Sequence, residues 1–200
     1  MRNEELYVPR YDGGIVRAVL TRGDSTDCIV YLPCFEGNHR DALPHIAAQY
    51  FAQSGISFVR IDPFFPLQGG RNMSDEGVTI ADHVHDLHSV ITFIKLQYGI
   101  NGAIHGIAHS LSAYPMIMAG ADVSTGLSSI VLWDGSDPSG IDLESTYQVV
   151  PFAGYRVSFG GYGFIMASSY LESIRRFQLP DPASWRTPLL VAVAGAGPLG

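Results

Sequence analysis

The chain has 200 residues, a formal net charge of −7 and 46% hydrophobic residues, which suit one domain with a sizeable core and exclude a basic nucleic-acid-binding surface. No apolar run approaches the roughly 20 residues of a membrane span, and the start Met1-Arg2-Asn3-Glu4-Glu5 lacks the apolar core of a signal segment. A cytoplasmic protein without nucleic-acid or membrane partners is expected, its oligomeric state open, and Cys28 and Cys34 stand too far apart along one extended stretch for a disulfide.

Tyr7 to Leu20 alternates around Asp12-Gly13-Gly14, which predicts an N-terminal β-hairpin. Cys28-Ile29-Val30-Tyr31-Leu32 is a continuous apolar run, as in a parallel strand covered on both faces, and Pro33 ends it. After a loop from Pro33 to His39, Asp41 is placed to cap a helix through Leu43, Ile46, Ala47, Tyr50 and Phe51, closed by Gly55. Ser57 to Ile61 reads as the next buried strand, and Asp62-Pro63 opens a Pro/Gly-rich loop to about Gly77, long enough to suggest function.

Ile80, Val84, Leu87, Ile91, Ile94 and Tyr98 recur at helical spacing as one core-facing stripe ended by Gly99. An apolar strand from Ala103 stops at Ser110 and becomes a helix to about Ala119, with Pro115 expected to cost a backbone bond or a kink. Ile130 to Trp133 is another strand, ending at Asp134. From Gly135 to about Pro182 the pattern is irregular and aromatic, with a helical piece near Phe164 to Phe177. Leu189 to Ala194 reads as a last buried strand. Strands alternating with crossover helices predict a doubly wound, mostly parallel α/β sheet.

Ala108-His109-Ser110-Leu111-Ser112 reads as a strand-to-helix elbow with Ser110 as nucleophile. Residues two before and two after such a serine touch backbone, so they must be small; Ala108 and Ser112 meet this. The turn lifts Oγ above the sheet edge and aims the Leu111 amide at a developing oxyanion. A buried serine capping a helix is the alternative for these five residues alone. The second oxyanion donor is expected from the amide of Phe35, in the loop after the early strand, with Cys34 just before it. Cys34 lacks the strained turn and ranks below Ser110 as nucleophile.

Asp134 leaves a strand at its carboxyl end, where open α/β sheets place ligands, and a carboxylate there can orient an imidazole. Asp137 is a second candidate in the same loop, and a turn-forming role for either stays open. The stretch after the last strand, Gly195-Ala196-Gly197-Pro198, has no carboxylate, which shifts weight to Asp134. The base is harder to place, because no histidine follows Ser110 in a chain order that calls for Ser, acid, His. His39 lies beside the oxyanion loop, where an approach to the site stays open next to the plainer reading of loop polarity; His105 reads as a satisfied strand histidine, while His109 should point away from Oγ. His83, His85 and His88, with Asp82, Asp86 and Ser89, read as a polar outer helix face rather than a metal site. Gly69-Gly70 and Gly160-Gly161-Tyr162-Gly163 do not follow a strand as a phosphate loop does, and neither metal nor cofactor is expected.

Through Pro33-Cys34-Phe35-Glu36-Gly37-Asn38, Arg60-Ile61-Asp62, Asp82 to Ile94 and Ala108 to Ser112, nearly the whole chain resembles the α/β-hydrolase superfamily. Trp133-Asp134-Gly135-Ser136, Gly154-Tyr155-Arg156 with Gly160 to Met166, and Ala194 to Leu199 are similar to a group of small bacterial hydrolases of undefined substrate. The resemblance implies hydrolysis of an ester or related acyl bond in a small molecule by Ser110, with oxyanion donors at Leu111 and Phe35 and the acid at Asp134. It also implies that residues 135 to 182 form a cap within the single domain, with Cys34, Tyr155, Phe159, Tyr162 and Phe164 lining the substrate pocket. The chain departs from the family pattern where Ala108 and Ser112 replace glycines and Cys34 stands for another. It also lacks the final strand, helix and histidine, so a C-terminally incomplete sequence is expected. The rival expectation is an inactive binding module of the same fold.

Overall fold

The structure is a computed structural model that describes residues 2–34, 37, 40–62, 77–135, 147–149, 155–158 and 165–193. Strands β1 (Asn3–Pro9) and β2 (Ile15–Thr21) form the N-terminal hairpin, pairing Val8 with Val16. Gly13, at φ 85°, takes the left-handed turn position that a side chain would resist. The parallel strands are β3 (Cys28–Leu32), β4 (Ser57–Asp62), β5 (Ile104–His109), β6 (Ser129–Trp133) and, last in the chain, β10 (Leu189–Ala192). The sheet has seven strands in the order β1-β2-β4-β3-β5-β6-β10, with β2 antiparallel to β4. A separate sheet joins β7 (Tyr147–Val149), β8 (Tyr155–Ser158) and β9 (Ile165–Ala167), all antiparallel.

Two helices, α2 (Ile80–Tyr98) and α3 (Ala113–Ala121), contribute Leu87, Ile91, Ile94, Met116 and Ala119 to the main core with Val30, Val59, Ile104 and Ile130 of the sheet. Helix α1 (Ala42–Gln53) lies on the opposite face, where Ala48 and half-buried Phe51 meet Ile29, Tyr31 and Phe58. Burying each large aliphatic side chain contributes about 1.5–3 kcal/mol, so the two-faced burial of β3 and β4 secures the centre of the sheet. Helix α4 (Ser168–Arg175) packs Tyr170, Leu171 and Ile174 against Ile80, Leu111 and Tyr114.

Several sequence expectations are corrected. In α1, Leu43, Ile46 and Tyr50 are exposed while Pro44, Ala48 and Ala52 are buried, because small residues let the helix approach the sheet; Asp41 is the N-cap residue as expected but makes no side-chain capping bond. His83 and Asp86 do not belong to a polar outer face. Both are buried, His83 against Tyr170 and Asp86 with Arg10 Nε 3.8 Å from its Oδ1, whereas His85 and His88 are exposed. Pro115 falls in the first turn of α3, where an amide has no intrahelical acceptor to lose. The helix expected near 164–177 is shorter, since β9 takes Ile165–Ala167. Finally, β10 is exposed rather than buried: it is the outermost strand, and β6 is its sole ladder partner among the described residues.

Candidate active site

The parallel register places the candidate residues on one edge. Leu32 of β3 pairs with Ala108 of β5, and His109 of β5 pairs with Trp133 of β6. Pro33, Ser110 and Asp134 therefore leave three neighbouring strands at their carboxyl ends. Parallel strands lie about 4.8 Å apart, so these loop starts are adjacent in space. Ser110, at φ 56°, and Asp134, at φ 47°, are the non-glycine residues with positive φ among the described residues. Such a conformation costs about 1–3 kcal/mol and persists where the surroundings over-determine it.

The elbow is built as its small residues require. Ala108 is wholly buried beneath it, and Ser110, Leu111 and Ser112 form one 3₁₀ turn that runs into α3. Ser110 itself is half-buried, and the Leu111 side chain packs with Ile80, Tyr114 and Tyr170. Ser112 is buried, and its hydroxyl donates to the Pro33 carbonyl. Below the turn, a Cβ on Gly106 would collide with the Met116 thioether, so the missing side chain lets α3 lie close against β5.

Alternation along β5 sends Ile104, Gly106 and Ala108 toward α3 and turns His105, Ile107 and His109 to the face that carries α1. His105 Nδ1 lies 2.7 Å from Ser129 Oγ, a satisfied strand histidine. The His109 ring stacks on Trp133 with centroids 4.7 Å apart and planes at 21°. Burial holds its pKa below the usual imidazole value, opposed by the carboxylates of Asp134 and Asp41. Asp134 is exposed, and its amide donates to the Ala192 carbonyl at 2.7 Å, which ties its turn to β10.

Among the predicted residues, Ser110, Leu111, Asp134 and half-buried Cys34 thus share the carboxyl edge. Tyr155 begins β8. Phe35, His39, Asp137, Phe159, Tyr162 and Phe164 lie outside the described residues. Two features escaped the sequence reading, the Ser112 to Pro33 bond and the buried pair of Tyr170 Oη and His83 Nδ1, 3.3 Å apart. His83 was findable, since it lies three residues from Ile80 and four from Leu87 and so shares their face. Among the described residues no group of three or more His, Cys, Asp or Glu could hold a metal, and no helix is long and apolar enough to cross a membrane. An apolar cavity of about 520 Å³ between Ile117, Trp185 and Leu189 sits at the amino end of β10, away from Ser110.

The strand order, the crossover helices and the strained serine after β5 define an α/β-hydrolase fold. Solved structures agree. Est1E from Butyrivibrio proteoclasticus, with ferulic acid bound, matches 93% of this chain and 77% of its own at a TM-score of 0.73 and 14% identity. The esterase domain of a Rhodothermus marinus protein matches 96% of this chain and 75% of its own at 0.65 and 18%. The α/β hydrolase GrgF from Penicillium sp. sh18 matches 68% of this chain and 46% of its own at 0.56 and 18%, so the match spans less than half of GrgF's length. No protein-family model and no curated protein matches the chain.

Proposed function

We propose that the chain is a serine hydrolase that cleaves a carboxylic ester, or a related acyl bond, of a small molecule through an acyl-enzyme at Ser110. The observation that carries this is the left-handed backbone of Ser110 at the turn between β5 and α3. In this reading Ser110 Oγ attacks the acyl carbon and passes its proton to an imidazole oriented by the Asp134 carboxylate, that of a histidine following Asp134 in chain order and not among these 200 residues. The amides of Leu111 and Phe35 take the charge that develops on the carbonyl oxygen. The alcohol leaves with the proton, and water then releases the acid by the same route. Esterases among the similar structures, one with ferulic acid bound, support an ester substrate, and residues 135–182 would form a cap with Cys34, Tyr155, Phe159, Tyr162 and Phe164 lining the pocket.

One observation favours a second reading, a binding module that keeps the fold without turnover: all seven histidines precede Ser110. A fluorophosphonate probe separates the two. Stoichiometric labelling at Ser110, with hydrolysis of p-nitrophenyl acetate, both abolished in Ser110→Ala, supports the hydrolase. A folded chain that the probe leaves unmodified supports the binding module.

A further inference from the structure

We propose that Ser112 is a positioning residue that fastens the loop between β3 and α1 to the nucleophile elbow; the inference rests on the hydrolase reading of Ser110. Ser112 is buried at 2% exposure, so its hydroxyl must find a partner inside the protein. The partner is the carbonyl of Pro33. Leu32 and Ala108 are the last pair of the β3 to β5 ladder, so the Pro33 carbonyl lies just beyond the ladder and Ser112 supplies its donor. The described part of the loop folds back on this point. The Gly37 amide donates to the Cys34 carbonyl at 2.8 Å, and a Cβ on Gly37 would come within 2.8 Å of Pro33 Cβ. Gly37 thus sits against the residue that Ser112 grips.

This placement has a catalytic consequence. Ser112 directly follows Leu111, whose amide is one proposed oxyanion donor, and Pro33 opens the loop expected to supply the other. Two donors help a transition state only while their separation is held, and looseness between them weakens transition-state binding more than substrate binding. A glycine or alanine at 112 would also fit the elbow, but neither could grip Pro33.

The test compares the 200-residue chain with Ser112→Ala and Ser112→Gly. In both variants kcat for p-nitrophenyl acetate and the fluorophosphonate labelling rate at Ser110 should fall about tenfold, less than the 10²–10³ of losing a donor outright. KM should stay within about twofold, and amide hydrogen exchange should quicken at Gly37 and Leu111. A folded variant with parent-like labelling and exchange overturns the proposal. Failure of both variants to fold also overturns it, because the hydroxyl would then serve the fold as a whole. If the parent itself is not labelled, the hydrolase reading fails separately. The tether is then judged by exchange alone, quickened exchange at Gly37 upholding it and unchanged exchange overturning it.

Discussion

Ser110 and Asp134 stand side by side, each the first residue beyond the paired His109 and Trp133 of β5 and β6, and each with a left-handed backbone. A non-glycine residue in that conformation costs about 1–2 kcal/mol. Ser110→Gly and Ser110→Ala should both be inactive, yet the glycine variant should be the more stable of the two by about 1 kcal/mol, because only glycine relieves the strain. Urea unfolding of the two variants measures the difference, and equal midpoints would show an unstrained turn.

Tyr170 joins α4 to the N-terminal half of α2. Its ring is fully buried, its hydroxyl lies 3.3 Å from His83 Nδ1, and burial pushes the phenol far above its usual pKa. Tyr170→Phe should cost about 1 kcal/mol, the net worth of a hydrogen bond, and Tyr170→Ala about 3–5 kcal/mol, the cost of an aromatic-sized cavity. Urea unfolding gives both values. Limited proteolysis should also cut the alanine variant first at Phe177–Leu179, just beyond α4.

His109 makes stability depend on pH. Its folded pKa lies below the ordinary 6.5 because burial disfavours the imidazolium. The unfolded chain therefore binds the proton more readily. This stabilisation is complete above about pH 6.5 and is lost as pH falls toward and through the lower folded pKa. The thermal midpoint should drop between pH 7 and pH 5, and His109→Gln should drop less over the same interval. An identical pH slope in the variant would remove His109 as its source.

The two thiols should separate by reactivity. Cys28 is wholly buried in β3, and burial pushes its pKa up to about 12, whereas Cys34 is half-buried at the start of the loop after β3. In the native protein at pH 8, Ellman's reagent should titrate one thiol, absent in Cys34→Ser, and reach the second only after denaturation. Rapid native reaction of both thiols would show that β3 opens readily.

Local sequence signals settled much of the architecture. Apolar runs marked β3 and β4 because strands buried on both faces need no alternation. Gly99, at φ 66°, closed α2 as its place after Tyr98 requires. The small residues around Ser110 announced the elbow, because a tight turn excludes larger ones. The same reasoning failed on α1, since Leu43, Ile46 and Tyr50 form one apolar set and Pro44, Ala48 and Ala52 another. Periodicity alone cannot choose between two apolar faces of one helix; the close approach of the sheet does.

What the chain determined by itself was therefore the order of the strands and helices of the main sheet, though not β7, β8 and β9 in the stretch read as irregular, and the serine at which one strand must turn. The tertiary structure alone decided which distant groups meet. His83 meets the Tyr170 hydroxyl from 87 residues later. Ser112 grips Pro33 across 79 residues. The β5 and β6 register sets Asp134 beside Ser110. Such pairings depend on how the sheet is ordered in space, and no stretch of neighbouring residues carries that information.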